Sequence, residues 1–181
     1  MSSSILQNAA FDSMVTHLED VSVELFADYG IPTELGEDTS PPAFDSGDGS
    51  TLAVIGFVGQ GLRGALLLVA LDSAIAAWLE TMGQAEGDAA DVLGEFSNML
   101  LGRLKTRLLP EGIALSVSTP TTASGNKLRV SGPSAHAHWL SLEGRNWNAR
   151  VRLETTFDPD FTHQVTDNHD APAEAGAAIF F

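Results

Sequence analysis

Residues 91–109 read DVLGEFSNMLLGRLKTRLL. Placed on a wheel at 100° per residue, Leu93, Phe96, Ser97, Leu100, Leu104 and Leu108 fall within about 60° either side of one direction. That stripe belongs to a helix packed on a core. The helix is expected to run from about 88 to 109 and to stop at Pro110 and Gly112, with Arg103, Lys105 and Arg107 in its C-terminal half, where the helix dipole favours cations. On the opposite side lie Asp91, Glu95, Asn98, Gly102 and Lys105. A carboxylate and a carboxamide thus stand one turn apart, and one turn beyond Asn98 there is no side chain. An outward helix face is ordinarily polar, and Glu and Asn at i, i+3 are common. Gly102 weighs against that plain reading, because glycine inside an exposed helix costs up to about 1 kcal/mol relative to alanine and makes sense where another backbone approaches. Asn98 weighs the same way, being a poor mid-helix residue unless its amide is needed outward. Spacing alone names no reaction.

Working outward from this helix, the preceding residues 51–58 and 64–71 are β-branched and apolar runs joined by Gly59-Gln60-Gly61-Leu62-Arg63, which reads as a β-hairpin. Asp72 or Ser73 is expected to cap a short helix ending near Met82 with Gly83 as its stop. Further back, the apolar spacing over 5–29 fits one amphipathic helix ended by Gly30 before Pro32. Residues 34–50, with Pro41-Pro42 and three glycines, read as a long loop or partly an edge strand. After the central helix, 113–119, 127–131, 135–142 and 149–157 read as four further strands, with Ala123-Ser124-Gly125-Asn126 and Glu143-Gly144-Arg145-Asn146 as joints. In the last strand Arg150, Arg152 and Glu154 alternate with Val151, Leu153 and Thr155, giving one wet and one dry face. Residues 162–176 read as a loose tail, and Ile179-Phe180-Phe181 as a segment that could dock. The expected fold class is α+β: an antiparallel or mixed sheet of about six strands, two long helices packed on one face, and the N-terminal helix beside them.

Composition narrows the function classes. The 181 residues hold 24 acidic and 9 basic side chains, a formal charge of −15. Residues 1–50 carry ten acids and 158–181 carry five, with no Lys or Arg in either, while 51–157 carries nine of each sign. The excess therefore marks the ends, where acidic segments ordinarily serve solubility. So few cations exclude a nucleic-acid surface, and an anionic membrane surface is disfavoured for the same reason. No apolar run approaches the roughly 20 residues of a membrane span. The N-terminal residues lack a secretory pattern, so a cytoplasmic location is expected. With zero cysteines, disulfides, thiolate metal sites and thiol nucleophiles are all excluded. With 44 % hydrophobic residues the chain can build a proper core.

Glu95-Phe96-Ser97-Asn98, preceded by Leu93-Gly94 and followed by Gly102 and Lys105, resembles the E-x-x-N helix signature of the CheX/CheC/FliY chemotaxis phosphatases. The glycine-bearing hairpin from Gly56 to Leu71 before it, and Ser118-Thr119-Pro120-Thr121 with Gly125 after it, resemble the family's flanking strands. The helix over 5–29 has no second Glu-x-x-Asn, so the single-site CheX-like branch fits best. The resemblance covers about 51–157 and divides the chain into an N-terminal helix with an acidic connector (1–50), a CheX-like phosphatase domain (51–157) and an acidic tail (158–181). It implies a phosphatase acting on the aspartyl phosphate of a CheY-like response-regulator receiver in chemotaxis or two-component signalling. In that reading Asn98 orients the attacking water, Glu95 pairs with the receiver lysine, and Asp91, Gly102 and Lys105 contact the partner. No cofactor of its own is implied, since the receiver supplies Mg²⁺, and a homodimer is expected from the resemblance alone. An amide suits the water-holding role because it donates and accepts hydrogen bonds without being a strong base. Phosphoryl transfer asks for positioning more than proton removal. The acidic ends match no family feature, and against an acidic receiver pocket they would weaken association at low salt.

Other constellations carry less. His136-Ala-His138 places two imidazoles on one strand face, with His163, Asp167 and His169 later in the chain, but spacing fixes no third metal ligand. Ser, His and Asp are present without a nucleophile elbow, and the glycines from Gly56 to Gly64 are too irregular for a phosphate loop. Trp78, Trp139 and Trp147 read as core or interface residues. Two rival functions use other physics. One is a CheX-like module that sequesters a receiver without turnover; the other is an acidic secretion-chaperone-like dimer holding an unfolded client.

Overall fold

The structure is a computed structural model and describes residues 3–42, 48–126, 128, 130 and 134–162. Its elements are α1 (Ser3–Asp28), β1 (Glu34–Gly36), β2 (Ser50–Gly59), β3 (Leu62–Leu71), α2 (Asp72–Thr81), α3 (Ala89–Leu108), β4 (Leu115–Val117), β5 (Thr121–Gly125), β6 (His136–Glu143) and β7 (Asn148–Phe157), with a single 3-10 turn at Leu109–Glu111 after α3. The sheet has seven strands in the order β1-β6-β7-β3-β2-β4, and β5 also pairs with β2. Every pairing is antiparallel. The α+β class is as expected, with one strand more than the six anticipated and no mixed pairing.

Sequence periodicity explains most of the elements. In α1, Phe11, Met14, Leu18, Val21, Leu25 and Phe26 recur at helical spacing and are all buried. The helix ends where Gly30 takes φ 71°. Gly30 N–H donates to Ala27 O at 2.9 Å and Ile31 N–H to Phe26 O at 2.9 Å, while buried Ile31 packs beneath, a Schellman closure that only a left-handed residue permits. In α3, Asp88 caps the start by accepting from Ala90 N–H (2.8 Å) and Asp91 N–H (3.2 Å). Its expected apolar stripe is buried throughout, and Gly94 and Leu101 join it.

Four local expectations are corrected. The hairpin is tighter than the five-residue joint, because Gly59 pairs with Leu62 and only Gln60-Gly61 turn, with Gly61 at φ 72°. Asp72 does not cap α2: β3 runs straight into the helix, Leu71 occupies the cap position, and the Asp72 carboxylate instead accepts from Thr51 Oγ1 at 2.9 Å. Thr121–Gly125, of which residues 123–125 read as part of a joint, is a strand; small and polar residues here pair with Ser50–Val54 on an edge where no apolar alternation is required. Of 127–131 only Leu128 and Val130 are described, and neither is in a strand. The loose tail and the docking of Ile179-Phe180-Phe181 lie outside the described residues, apart from Thr162.

The fourth correction concerns the two faces of the sheet. Ala53, Ile55, Leu66, Leu68, Val151, Leu153, Leu140 and Leu142 look toward the helices and form one core with α1, α2 and α3. The other face, expected to be wet, is covered around Arg150 and Arg152 and open toward Val58 and Glu154. Arg152 is only 5 % exposed, its guanidinium 5.6 Å from the Trp139 ring centroid and 3.0 Å from Glu154 Oε2. Arg150 donates to the Asp38 carbonyl (2.7 Å) and carboxylate (2.6 Å), so the connector after β1 reaches this face. Val130 packs against Val69 and Trp139 there. Arginine stems lie flat on apolar surface while their heads find partners, which is why alternation alone mistook this face for an open one.

Candidate functional site

α1 and α3 lie antiparallel. Asp28 pairs with Arg103 (2.8 Å), Glu24 with Arg107 (2.7 Å), and beyond α3 Glu111 accepts from Ser13 Oγ (2.6 Å) and meets His17 Nε2 at 2.5 Å. These contacts fix α3 along its length. Beneath it Phe96 enters an aromatic cluster, with ring centroids 5.0 Å from Phe26, 5.8 Å from Trp78 and 5.1 Å from Tyr29. Trp147 completes the cluster at 5.1 Å from Trp78. Ser97, fully buried, donates to Gly94 O at 2.8 Å. The two residues between Glu95 and Asn98 are thus anchors, and they lock the rotation of the helix.

Asp91, Glu95, Asn98, Gly102 and Lys105 are all exposed, as the wheel requires. Among the described residues the side chains of Glu95, Asn98 and Lys105 have no hydrogen bond or ion pair. Lys105 is the one cation of α3 left outside the α1 pairs. The helix therefore offers a carboxylate, an amide and an ammonium in one outward row, each rigidly based and each uncommitted. A Cβ built on Gly102 would meet nothing within 4 Å, so no part of the fold requires glycine there.

Each flank of the row has its own wall. On one side a Cβ on Gly94 would stand 3.5 Å from Thr122 Cγ2 and 3.9 Å from Pro120, so the β4–β5 connection and β5 border the helix closely. On the other side Tyr29, 38 % exposed, rests on Phe96 and places its hydroxyl 3.2 Å from Met99 Sδ. Sequence reasoning did not single out Tyr29; an aromatic residue directly before a helix-stopping glycine was the available signal. A shallow groove of about 470 Å³ continues from there between Val21, Met99, Gly102 and Thr106.

The other candidates resolve differently. His136 is a packing residue: its Nε2 lies 3.0 Å from Asn8 Oδ1, and its ring sits between Phe11 (5.5 Å) and Phe157 (5.0 Å). His138 lies two positions along the same strand, while His163, Asp167 and His169 fall outside the described residues. Among the described residues no group of three or more His, Asp or Glu is placed to hold a metal ion. Trp78 and Trp139 are buried and Trp147 half-buried. A larger open trough of about 960 Å³, lined in part by Gly56, Ala65, Ser118 and Glu154, contains neither Glu95 nor Asn98. No described helix is long and apolar enough to cross a membrane.

The described fold is an antiparallel sheet with three helices packed against one face, and α3 presents Glu95 and Asn98 outward. The profile of the family described as Chemotaxis phosphatase CheX matches residues 51–141, and the chain belongs to this family. No curated protein matches the sequence. Among solved structures, a CheC-like superfamily protein from Shewanella sp. PV-4 superposes with TM-score 0.68 at 17 % identity, covering 80 % of this chain and 97 % of that one. The chemotaxis protein CheX from Vibrio vulnificus gives TM-score 0.64 at 17 % identity, with coverages of 80 % and 97 %. A chain of the CheX–CheY–BeF3–Mg²⁺ complex from Borrelia burgdorferi gives TM-score 0.64 at 13 % identity, with coverages of 78 % and 96 %.

Proposed function

We propose that this CheX-family chain hydrolyses the aspartyl phosphate of a CheY-like receiver domain in chemotaxis or two-component signalling, with Asn98 orienting the attacking water and Glu95 pairing with the receiver lysine. The observation that carries the reading is the exposed pair Glu95 and Asn98, unpartnered among the described residues, on a helix whose intervening residues Phe96 and Ser97 are locked into the core. Family membership supports it. So does the Borrelia burgdorferi complex, in which CheX is found with CheY, BeF3 and Mg²⁺.

In this reading α3 enters the receiver's phosphorylation cleft. The Asn98 amide accepts one hydrogen bond from the water and holds it in line with phosphorus. The water oxygen forms a bond to phosphorus, the bond to the aspartyl oxygen breaks, and the receiver carboxylate leaves with the electron pair. The water proton passes to phosphate oxygens and solvent. Charge on the transferring group is met by the receiver's own Mg²⁺, so the chain needs no metal or cofactor of its own. Glu95, pairing with the receiver lysine, fixes the depth and register of insertion, and Asp91, Gly102 and Lys105 contact the partner around it. The protein works in the cytoplasm, where receivers are, and as a homodimer.

The test is phosphate release from a phosphorylated receiver, run against a panel of receivers from the same genome. Asn98→Ala should lower the rate on the order of a hundredfold, the usual cost of one preorganised contact to the reacting group. Unchanged turnover in Asn98→Ala would overturn the mechanism. A receiver complex without accelerated dephosphorylation would make the chain a sequestering module. Client binding indifferent to Glu95 and Asn98 would move it to the chaperone-like class.

A further inference from the structure

We infer that Tyr29, in the turn that closes α1 rather than on the motif helix, is a docking residue for the receiver, setting affinity without entering the chemistry; the inference rests on the function proposed above. Tyr29 is one of a few large apolar side chains left exposed among the described residues. Of these, Ile5 lies at the opposite end of α1, Val58 on β2, Leu35 on the β1 edge and Leu109 beyond the end of α3. Tyr29 alone leans on the motif. Its ring lies 5.1 Å from Phe96, the residue after Glu95, and its hydroxyl 3.2 Å from the sulfur of Met99, the residue after Asn98. It therefore lies along the single turn of α3 that carries the proposed chemistry.

Its geometry is preorganised. Tyr29 N–H donates to Phe26 O at 3.2 Å, and the next residue, Gly30, closes the helix at φ 71°, so the ring stands on a fixed helix end instead of a free loop. A rigid exposed ring with a polar tip is the side chain that most often supplies binding energy at interfaces, because it buries much area and loses little rotamer freedom. The hydroxyl's bond among the described residues goes to a thioether, a weak acceptor, so a better partner can claim it. Reach is not limiting. A helix with its side chains is about 10–12 Å across, which puts its flank about half that distance from its outward row. A standard interface covers about 800 Å² per partner, a patch on the order of 16 Å in radius, so a receiver seated on Glu95 and Asn98 also meets Tyr29.

The experiment uses the full chain and the receiver that the wild type dephosphorylates best, following phosphate release against receiver concentration for wild type, Tyr29→Ala, Tyr29→Leu and Tyr29→Phe. Tyr29→Ala should raise KM about tenfold and leave kcat within twofold, the opposite of the kcat loss in Asn98→Ala. Tyr29→Leu, which keeps apolar volume over Phe96 and so guards against a packing defect, should raise KM in the same direction. Tyr29→Phe should stay near the wild type if the ring carries the contact and rise partway if the hydroxyl shares it. Wild-type turnover with an unchanged KM in both Tyr29→Ala and Tyr29→Leu overturns the inference and leaves the parent function standing. A loss confined to kcat also overturns it, since Tyr29 would then act through the position of α3. If no receiver is dephosphorylated by the wild type, the parent reading fails, and this one with it.

Discussion

Gly102→Ala separates what the fold needs from what a partner needs. The backbone at Gly102 is helical, with no positive φ, and a methyl group there would meet nothing within 4 Å. The isolated chain should therefore accept alanine without any clash, and gain helix propensity of about 0.8–1 kcal/mol. For a chain of 181 residues that gain corresponds to a rise in Tm of about 2–4 °C. Docking should move the other way. If a receiver surface lies directly on the outward row, a methyl inserted beneath it costs about 1–3 kcal/mol, as overpacking does in a close-fitted contact. The low end of that range is already about a fivefold rise in KM, since about 1.4 kcal/mol is a factor of ten. The assays are thermal unfolding followed by far-ultraviolet circular dichroism, and phosphate release against receiver concentration. A more stable variant with an unchanged KM would refute the claim that the row is a docking surface. A less stable variant would refute the local argument about the helix itself.

Phe96→Ala empties the centre of the aromatic cluster under α3, where the side chain is 2 % exposed, and should cost about 3–5 kcal/mol of stability by denaturant titration. Gly64→Ala should unfold or severely destabilise the chain, because its Cβ would collide with the carbonyl oxygen of Glu154 on β7 and the Phe57 ring; a melt close to the wild type would contradict the β3–β7 register. Asp38 is held below the usual carboxylate range by the Ser40 hydroxyl, then the Ser40 amide, with Arg150 adding to it. A carboxylate with a depressed pKa stabilises the fold above its unfolded pKa and loses that contribution as pH falls through its folded value, so the melting difference between wild type and Asp38→Asn should shrink as pH drops below the usual carboxylate range. Asp20 is exposed, has no cation partner among the described residues, and stands nine positions before Tyr29, about 13 Å along the helix. Against an acidic receiver cleft it should slow association at about 0.01 M salt, where the Debye length is near 30 Å, and hardly at all at 0.15 M; Asp20→Asn should flatten that salt dependence of kcat/KM, and an identical dependence in both proteins would rule the effect out.

The helices and the central hairpin were legible because their residues obey one period each. α3 repeats its apolar stripe without interruption and carries its own cap and stop, and β2 and β3 are β-branched and apolar runs joined at a glycine turn. β5 was not legible. Thr121, Thr122, Ala123 and Ser124 are exposed edge residues, so nothing in their burial imposes alternation, and they pair with β2 through backbone groups that leave no mark on side-chain choice. The back face of the sheet failed for another reason. Arg150 and Arg152 read as solvated because charge is ordinarily exposed, whereas the Asp38 connector comes from a distant part of the chain and Trp139 stands opposite Arg152 on the neighbouring strand to cover them. The site was half legible for the same kind of reason. Glu95, Asn98 and Gly102 share one helix, and a wheel collects them; Tyr29 reaches the site only because α1 and α3 lie antiparallel, which no local pattern announces.

On the proposed function, the arrangement of the four residues 95–98 also explains why so little else is needed there. A reaction that depends on a general base requires a titrating group tuned by burial, and such a group drags its own network of partners into the fold. A reaction that depends on placing water requires only that an amide stay where it is put. Placement is supplied from the core side of the helix: Phe96 wedged between Phe26 and Trp78, and Ser97 tied to Gly94. Outward and inward residues are neighbours in sequence, so the same turn that presents Glu95 and Asn98 also holds them still. The stability spent on an uncommitted polar row is therefore offset directly beneath it, by the aromatic cluster of Phe26, Trp78, Phe96 and Trp147.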